Sequence, residues 1–399
     1  MDTTLLARRA AWLTVTASAV IPEDAISFDS GHAFPGVLPD LTPEAELALS
    51  EYRAETLQYS SRPGNPELRA WITEYMTAEG VAGTTPDDLL VVNGAKHGLD
   101  LVCRLMLDEG DSIVVTAPTY FTAIPIFKSF GVEFIEVDQD EEGLVVEELD
   151  RTLKQRKRDG LKAPKFVYDV PDFHNPTGVT MSRRRREALI ELCAATGMLV
   201  VEDSPYRKVR FEGESEPPIK ALDQAGRVLM LGTFSKLLAP GLRIGWVAGP
   251  HDLLNRMIQL KSDGGSCPLT QRLITEFCRS GRLESHIQKV QEVYKSHRDR
   301  MVAALRRELP EVTFKVPQGG YYIWLTLPAN LDGDELTRRA AEQGVIAIAG
   351  SKFFAATGGR AGSDNPPRNH MRLAYSHATP DQIDEGVARL ARAFQSMRK

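Results

Sequence analysis

Between residues 88 and 248 short apolar runs alternate with helical patterns, and this alternation narrows the possible folds further than any other part of the sequence. Helical patterns follow Gly94 and fill residues 183–196, between apolar runs rich in β-branched residues. Strands separated by helices form a mostly parallel sheet with helices on both faces. The sequence therefore predicts an α/β fold with seven strands, at residues 89–93, 112–116, 132–137, 165–170, 198–203, 228–233 and 244–248.

The last third of the chain has a different pattern. A long helical stretch at about 283–308 precedes shorter segments, with strands expected at 312–316, 321–327 and 371–375 and helices at 334–343 and 380–397. We predict a large domain from residue 45 to 280 and a smaller α+β domain made of residues 1–44 and 281–399. The 399 residues, 42% of them hydrophobic, are sufficient for two buried cores.

Charge and cysteine content argue against several classes of partner. The formal net charge of -6 is spread along the chain, so we expect neither a nucleic-acid surface nor binding to an acidic membrane. No stretch is long and apolar enough to span a bilayer, and the four arginines at 183–186 open a helical pattern that indicates a solvated helix face. The four cysteines lack C-x-x-C spacing, and we expect no disulfide framework in a chain this long, which fits a reducing compartment, the cytoplasm. We expect no metal site.

The N-terminus carries an ambiguous segment. Arg8 and Arg9 precede an apolar stretch from residue 10 to 21, which faintly resembles a secretion signal. Three hydroxyl-bearing residues interrupt its apolar character, so we expect a first helix that packs on the body of the protein.

The strongest local signal is a single lysine, Lys236, at the end of a predicted strand. The string from Gly232 to Lys236 reads Gly-Thr-Phe-Ser-Lys, and Arg243 follows seven residues later. In a pocket, desolvation and nearby positive charge lower the pKa of a lysine, and the neutral amine can condense with an aldehyde. Thr233, Ser235 and Arg243 can bind a phosphate group. A lone loop lysine would be a surface residue, but the whole string argues against that alternative.

A carboxylate closes another predicted strand. Asp203 lies at the end of the apolar run 198–203, where open α/β sheets bind ligands. A carboxylate that faces a pyridine nitrogen keeps it protonated, so that the ring withdraws electrons from a bound substrate. Tyr206 follows one turn later and could hydrogen-bond a ring oxygen. By itself, Asp203 could equally cap the following helix.

Three further turns follow predicted strands. Asn175 begins the string Asn-Pro-Thr-Gly, where its amide can donate to the same ring oxygen. Gly94, Ala95 and Lys96 begin a helix whose free N–H groups attract phosphate. Tyr120 follows Pro-Thr and can stack on a planar ring. Each turn alone is a weak signal, because a tight connection or a core tyrosine explains it as well.

Arg372 stands inside the apolar strand predicted at 371–375. A buried arginine is unfavourable unless it is paired. A substrate α-carboxylate could form a two-pronged contact with its guanidinium. A structural ion pair is the alternative.

In this order, the six segments resemble the fold type I pyridoxal-phosphate enzymes, specifically the class I and II aminotransferases. The similarity extends from about Leu57 to Tyr375, and it is greatest to the α-aminoadipate and kynurenine aminotransferases, on the strings at 57–60, 164–171 and 202–206. The resemblance implies the PLP-transferase fold with pyridoxal 5′-phosphate as cofactor. It also implies transfer of an amino group between an L-amino acid and a 2-oxo acid.

The resemblance assigns roles to individual residues. Lys236 would hold the cofactor as a Schiff base and then move a proton between the substrate α-carbon and the cofactor, with Asp203 and Tyr206 completing the catalytic set. Tyr59 would reach the phosphate of the neighbouring subunit, which implies a homodimer with shared active sites. The substrate contacts would come from Arg372, Asn175, Gly31 and His32. The remaining cofactor contacts would come from Gly94, Ala95, Lys96, Tyr120, Asn175, Thr233, Ser235 and Arg243.

Two segments depart from the pattern of these relatives. The turn at 95–97 reads Ala-Lys-His where the relatives usually have Ser-Gln-Gln, so Lys96 adds a charge near the phosphate. The segment at 27–33, which contacts substrate in the relatives, lacks their Gly-Gly and Pro. His32 could act there as an extra acid or base, although a surface histidine is the simpler interpretation, and Arg62 could face the neighbouring site. These departures leave the substrate open.

Three functions remain open at this point. An aminotransferase is the leading hypothesis. The same scaffold could instead perform β- or γ-replacement, decarboxylation, oxidation or cyclisation of an amino acid, and the unusual segment at 27–33 favours this alternative. A non-catalytic effector domain, as in some GntR-type transcription regulators, would need a DNA-binding module, and the residues before Ser27 are too few and insufficiently basic for one.

Overall fold

The computed structural model describes residues 7–10, 22, 24–355 and 366–398, so the helix expected at 10–21 lies outside it except for Ala10. The described strands are, in chain order, β1 (Ile26–Ser27), β2 (Leu89–Val92), β3 (Ser112–Ala117), β4 (Glu133–Asp140), β5 (Gly143–Leu144), β6 (Phe166–Asp169), β7 (Leu199–Asp203), β8 (Val228–Thr233), β9 (Gly245–Ala248), β10 (Tyr322–Thr326), β11 (Val345–Ile346), β12 (Ile348–Ala349) and β13 (His370–Ala374). The described helices are α1 (Thr42–Ser50), α2 (Arg53–Thr56), α3 (Pro66–Ala78), α4 (Ala95–Met106), α5 (Ile124–Lys128), α6 (Val146–Arg158), α7 (Arg183–Thr196), α8 (Ile219–Leu222), α9 (His251–Leu260), α10 (Pro268–Arg279), α11 (Arg282–Glu308), α12 (Gly333–Glu342) and α13 (Pro380–Ser396). Among the described residues, no helix combines the length and the apolar character that crossing a membrane requires.

Within the described ranges, eight strands form the large sheet, in the order β2-β9-β8-β7-β6-β3-β4-β5. The strands β8, β7, β6, β3 and β4 run parallel, whereas β9 pairs antiparallel with both β2 and β8. All seven predicted strands are present, so the predicted α/β fold is confirmed. The eighth, β5, has two residues and pairs antiparallel with the end of β4, in a hairpin too short to show an apolar periodicity.

Most strands of this sheet are buried on both faces, which explains why these strands are largely continuous apolar runs. Every residue of β2, β3, β6, β7, β8 and β9 is buried. In β2, Leu90 and Val92 pack in one core, and Leu89 and Val91 pack in another. Because successive side chains of a strand point to opposite faces, a run of four apolar residues supplies both cores.

A smaller region surrounds a three-stranded antiparallel sheet with the order β10-β13-β12. The strand β1 pairs parallel with β11, so the N-terminal segment packs with this C-terminal region. The pairing supports the predicted small domain, whose boundaries at 44 and 281 stay a prediction. The prediction of a strand at 312–316 is wrong. Thr313 alone of that segment forms a bridge, with Thr326, because Pro310 and Pro317 close the segment at both ends.

The arginine run at the start of α7 has an exposed half and a buried half. Arg183 and Arg184 are exposed, as a solvated helix face requires, but Arg185 and Arg186 are buried, so that interpretation is wrong for them. Arg186 is 0% exposed and donates to Asp172, which is 1% exposed, over 2.8 Å. Its guanidinium also donates to three backbone carbonyls. The buried pair therefore ties α7 to the loop that follows β6.

Replacing Arg186 with Met would leave the Asp172 carboxylate buried without its main partner. We expect a loss of about 3–5 kcal/mol in the free energy of unfolding, measured by urea-induced unfolding. Arg183→Met on the same helix is the matched control. Its ion pair with Glu187 is exposed, so the loss should be much smaller than that of Arg186→Met. Equal losses in the two variants would contradict a special contribution from the buried pair.

Candidate active site

A cavity of about 560 Å³ lies at the carboxyl ends of the parallel strands, between the large sheet and the smaller region. Residues that follow β3, β6, β7 and β8 line it together with Arg372 of β13. Of the residues predicted for the site, Gly94 and Tyr59 do not line this cavity. The predicted residues that line it are Gly31, His32, Ala95, Lys96, Tyr120, Asn175, Asp203, Tyr206, Thr233, Ser235, Lys236, Arg243 and Arg372.

Lys236 lies three residues after the end of β8. Its Nζ donates to the carbonyl oxygen of Gly31 over 2.6 Å. Burial and the positive charges of Arg243, Arg372 and Lys96 lower the pKa of Lys236 to about 8. A substantial fraction of the amine is therefore neutral near that pH, and a neutral amine can act as a nucleophile.

Asp203 is the last residue of β7 and is buried with one oxygen paired and the other unpaired. Its Oδ2 accepts a hydrogen bond from the Tyr168 hydroxyl over 2.8 Å, whereas Oδ1 has no partner among the described residues. Burial raises the pKa of Asp203 to about 6, against the lowering effects of the Tyr168 hydroxyl and the Lys96 charge. At neutral pH, a buried carboxylate with a free oxygen favours a protonated ring nitrogen as its partner.

One end of the cavity is suited to a phosphate. Gly94 has a φ of 83° and precedes α4, and a Cβ built on it would lie 2.9 Å from Nη2 of Arg243. The hydroxyls of Thr233 and Ser235 are 3.0 Å apart. Lys96 adds a second cation, and burial and the Arg243 charge lower its pKa. These groups and the free N–H groups at the start of α4 form a set of donors for an anion, here called the phosphate cradle.

Three further side chains can contact a planar ring. Asn175 Oδ1 accepts from Nη1 of Arg372 over 3.0 Å, and its buried Nδ2 has no partner among the described residues. The Tyr206 hydroxyl donates to the Tyr322 hydroxyl over 3.2 Å, and burial holds the pKa of Tyr206 well above its usual range. Tyr120, which follows β3, contributes an aromatic ring to the lining. The site thus offers the free Asn175 amide as a donor for a ring oxygen, the Tyr206 hydroxyl as a second donor if it exchanges its bond to Tyr322, and one stacking surface.

Arg372 is almost completely buried in β13. Its Nη1 donates to Asn175, and its Nη2 donates to the carbonyl oxygen of Asp29, whereas Nε has no partner among the described residues. The centre of the Tyr322 ring lies 4.1 Å from the guanidinium carbon. No carboxylate of the described residues forms an ion pair with Arg372, so the structural ion pair considered from the sequence is absent there. A buried cation with an unpaired N–H can receive the carboxylate of a ligand.

The segment at 29–32 closes the cavity from the side of the smaller region. Gly31 packs so closely that a Cβ built on it would lie 2.3 Å from the Tyr322 hydroxyl. The carbonyl oxygen of His32 accepts from the Ser376 hydroxyl over 2.7 Å. The His32 ring is exposed at the cavity and lies edge-on to His377, with 5.6 Å between the ring centres. Backbone contacts therefore hold this segment in place while the imidazole stays accessible.

Besides Gly94, three residues considered from the sequence lie outside the cavity. Tyr59 is 86% exposed, and Arg62 is also exposed, so their contacts with a neighbouring subunit stay predictions. His97 Nδ1 accepts from the backbone N–H of Asn93 over 3.1 Å. This hydrogen bond stabilises the turn before α4. The His97 side chain does not line the cavity.

Sequence reasoning missed several residues of this site. Tyr168 pairs with Asp203, but its position inside β6 indicated only core packing. Phe121, Tyr322 and Ile348 line the cavity from the turn after β3, from β10 and from β12. A buried tyrosine needs a partner for its hydroxyl, and that rule could have singled out Tyr168. The same rule applies to Tyr322 in the predicted strand 321–327. No comparable signal existed for Phe121 and Ile348, because their positions at the cavity depend on how the smaller region docks on the sheet.

The free polar groups of the cavity fit pyridoxal phosphate. Its phosphate matches the phosphate cradle, and its ring nitrogen matches the unpaired Oδ1 of Asp203. Its ring oxygen matches the unpaired Nδ2 of Asn175, and its aldehyde matches the amine of Lys236. The sheet and this site together define a pyridoxal-phosphate enzyme of fold type I.

Comparison with known proteins gives the family. The sequence pattern of the family described as "Aminotransferase class I and II" matches residues 27–390. The chain is 36% identical to aromatic-amino-acid aminotransferase 1 of Thermococcus litoralis, over 94% of this chain and 89% of that protein. It is 35% identical to the 2-aminoadipate transaminase of Thermus thermophilus, over 90% of this chain and 88% of that protein. The crystal structure of Pyrococcus horikoshii kynurenine aminotransferase in complex with PMP, which is 35% identical, matches with a TM-score of 0.90 over 99% of this chain and 98% of that chain.

The chain belongs to the class I and II aminotransferases. It is a pyridoxal-phosphate-dependent enzyme that transfers amino groups, as the sequence predicted. The resemblance to the α-aminoadipate and kynurenine aminotransferases is confirmed, because relatives of both names match. The other reaction types considered from the sequence receive no support from the three relatives described above, each of which is named as an aminotransferase or a transaminase.

Gly94→Ala should weaken cofactor binding. The new Cβ would press on the Arg243 guanidinium, and the φ of 83° is unfavourable for alanine. We expect the dissociation constant of pyridoxal phosphate to rise about tenfold or more. The measurement is an absorbance titration of the cofactor-free protein with pyridoxal phosphate.

Gly110→Ala is the matched control for this variant. Gly110 also has a positive φ, 86°, but nothing lies within 4 Å of a Cβ built there. Both variants therefore carry backbone strain, and both should lose thermal stability. Cofactor affinity should fall in Gly94→Ala and not in Gly110→Ala, and equal affinities would contradict the phosphate cradle.

Proposed function

We propose that this enzyme moves the amino group of an L-amino acid with a large apolar or aromatic side chain to a 2-oxo acid, and that Arg372 binds the carboxylate of both. The observation that carries the proposal is its buried guanidinium, free at Nε and without a carboxylate partner among the described residues, in the same cavity as Lys236. A cation buried this deeply needs an anion. Every amino acid and every oxo acid supplies one at its carboxyl group.

The cofactor would be held by polar and aromatic side chains that line the cavity. Asp203 would accept a hydrogen bond from the ring nitrogen. Asn175 and Tyr206 would donate to the ring oxygen, and Tyr120 would stack on the ring face. Pyridoxal phosphate, when bound, draws electrons from the substrate α-carbon and makes its C–H bond acidic. The cradle residues that would bind the phosphate are Gly94, Ala95, Lys96, Thr233, Ser235 and Arg243.

Lys236 would have two roles. Its amine would hold the cofactor covalently through the aldehyde, with loss of water, and would move a proton at the substrate α-carbon. Both roles need a neutral amine, and the lowered pKa of about 8 supplies one at mildly alkaline pH. The carbonyl oxygen of Gly31, which accepts from Nζ, orients this amine in the cavity.

The cavity wall favours an apolar or aromatic substrate side chain. The rings of Phe121 and Tyr322 lie 5.4 and 4.1 Å from the Arg372 guanidinium carbon, and Ile348 is paired with Arg372 across two strands. Among the described residues, the other cations that line the cavity are Lys236 and those of the phosphate cradle, so none remains for a second carboxylate. The name of the Thermococcus litoralis relative, an aromatic-amino-acid aminotransferase, supports the same preference.

A homodimer whose subunits share their active sites is part of the proposal. Leu57 and Tyr59 are 62% and 86% exposed, and they lie close together in sequence. Neither lines the cavity of its own chain. An interface that covers them would remove apolar surface from water and could bring Tyr59 to the phosphate cradle of the partner.

The cytoplasm is the proposed location, because the thiols suit a reducing compartment. Cys103, Cys193, Cys267 and Cys278 are all free, and all but Cys267 are buried. Burial raises the pKa of Cys193 to about 12, so that thiol stays protonated and unreactive at neutral pH. Free thiols are usual where disulfides do not form.

The amino-donor half of the reaction tests the proposed function. With one L-amino acid and no acceptor, the enzyme should release the matching 2-oxo acid, about one per cofactor, while the cofactor absorbance changes to that of the pyridoxamine form. L-phenylalanine and L-tyrosine should give a higher kcat/KM than L-glutamate. Mass spectrometry of the oxo acid and absorbance spectroscopy measure both results. No oxo acid from any donor would refute transamination, whereas a best rate with L-glutamate would refute only the apolar preference.

Two variants separate the roles in this assay. Lys236→Ala should abolish turnover and the visible absorbance of the bound cofactor. Arg372→Lys should keep that absorbance but raise KM for both the amino acid and the oxo acid about 10- to 100-fold, because an ammonium group cannot form the two-pronged contact. Arg368→Lys is the matched control, since Arg368 is exposed and pairs with Asp332. An unchanged KM in Arg372→Lys would remove Arg372 from the substrate site.

A purified heterodimer tests the shared site. One chain carries Tyr59→Ala, the other carries Lys236→Ala, and each has a different tag. If Tyr59 serves the partner, the site with an intact Lys236 receives an intact Tyr59, and at limiting cofactor the heterodimer should have about half of the wild-type activity. If Tyr59 served its own chain, both sites would be defective. Activity would then stay no higher than that of the Tyr59→Ala homodimer.

A further inference from the structure

We infer that Tyr168 is a positioning residue for the ring nitrogen of the cofactor: its hydroxyl holds the Asp203 carboxylate so that one oxygen, Oδ1, stays free to face that nitrogen. The inference rests on the role proposed above for Asp203. Tyr168 does not line the cavity, so it acts on the cofactor through Asp203.

The contact between the two side chains is short and buried. Tyr168 Oη donates to Asp203 Oδ2 over 2.8 Å, and both residues are buried. Asp203 Oδ1 has no hydrogen-bond partner in the part of the chain that the structure describes. A carboxylate accepts several hydrogen bonds through its two oxygens. One fixed donor on Oδ2 therefore leaves Oδ1 as the oxygen available to a ligand.

Packing restrains the Tyr168 ring. Tyr168 lies in β6, between β3 and β7 of the large sheet, and pairs with Val115 on one side and Val201 on the other. Its ring packs edge-on against Phe127, with 5.3 Å between the ring centres. A ring held by two strands and a buried aromatic side chain has little freedom to turn its hydroxyl elsewhere. Asp203 therefore receives its donor in a fixed position.

The same hydroxyl favours the charged form of Asp203. Burial raises the pKa of Asp203, and the hydrogen bond from Tyr168 is the largest of the effects that oppose this rise. Burial and the neighbouring Asp203 charge hold the pKa of Tyr168 well above its usual range, so the hydroxyl remains a donor. A charged and oriented carboxylate stabilises a protonated ring nitrogen better than a neutral or rotated one does.

A comparison of two cofactors isolates this contact. The 1-deaza analogue of pyridoxal phosphate has carbon in place of the ring nitrogen and cannot form the bond to Asp203. The full-length protein, freed of cofactor, is titrated with each compound. Tyr168→Phe keeps the ring and its packing and removes the hydroxyl. We expect this variant to weaken binding of pyridoxal phosphate about tenfold, as for a lost hydrogen bond to a charged group, and to leave binding of the analogue unchanged.

Tyr375→Phe is the matched control for loss of a buried hydroxyl. The Tyr375 hydroxyl donates to the carbonyl oxygens of Gly319 and Gly320, and Tyr375 does not line the cavity. Its removal should change the affinity for neither compound. If Tyr168→Phe weakens both compounds equally, its hydroxyl has only a structural role, and the inference is overturned. The inference is equally overturned if Tyr168→Phe weakens neither compound.

Asp203→Asn separates this inference from the proposal on which it rests. Selective loss of pyridoxal phosphate affinity in Asp203→Asn would support the role of Asp203. If Tyr168→Phe then shows no selectivity, the inference fails and the proposed function stands. If Asp203→Asn itself affects both compounds alike, or neither, the proposed role of Asp203 fails and the inference fails with it.

Discussion

The chemistry of the active site depends on the free-energy cost of burying charged side chains. Lys236, Asp203 and Arg372 line one cavity in which water cannot solvate them fully. Burial disfavours the charged form of each, so it lowers the pKa of Lys236 to about 8 and raises that of Asp203 to about 6. The lowered pKa of Lys236 provides a neutral amine near pH 8, and Asp203 is still ionised there because its raised pKa of about 6 stays below that pH. The Arg372 guanidinium is a buried cation without a carboxylate partner among the described residues, so it needs an anion as a ligand.

The large sheet brings the cofactor groups together. The strands β6, β7 and β8 are adjacent and parallel, so the residues that end or follow them meet at one edge although they are distant in sequence. Asn175, Asp203 and Lys236 are placed in this way. Burial of the strands on both faces keeps this edge rigid. The Arg186–Asp172 pair adds a further tie between the loop after β6 and the helix behind it.

The smaller region completes the site with groups that the sheet does not supply. The strand β13 brings Arg372, and the segment at 29–31 brings the Gly31 carbonyl to Lys236. The pairing of β1 with β11 anchors that segment. The proposed substrate contacts thus come largely from the two ends of the chain, and the proposed cofactor contacts come from its middle. Substrate preference can therefore change while cofactor binding stays constant.

From the amino-acid sequence, the order of the large-sheet strands along the chain and most residues of the cavity could be predicted. Both are local properties of the sequence. Burial determines the apolar pattern within each strand, and residues such as Asp203 and Lys236 are recognised because each lies near the end of a strand. Prediction failed at two places. The strand β5 has only two residues, which is too short to show an apolar periodicity. At 312–316, two flanking prolines prevent the strand that the apolar pattern predicts. Only the tertiary structure shows the hydrogen bond from Tyr168 to Asp203 and the aromatic rings that surround Arg372. They join residues far apart in sequence through docking that no local pattern specifies.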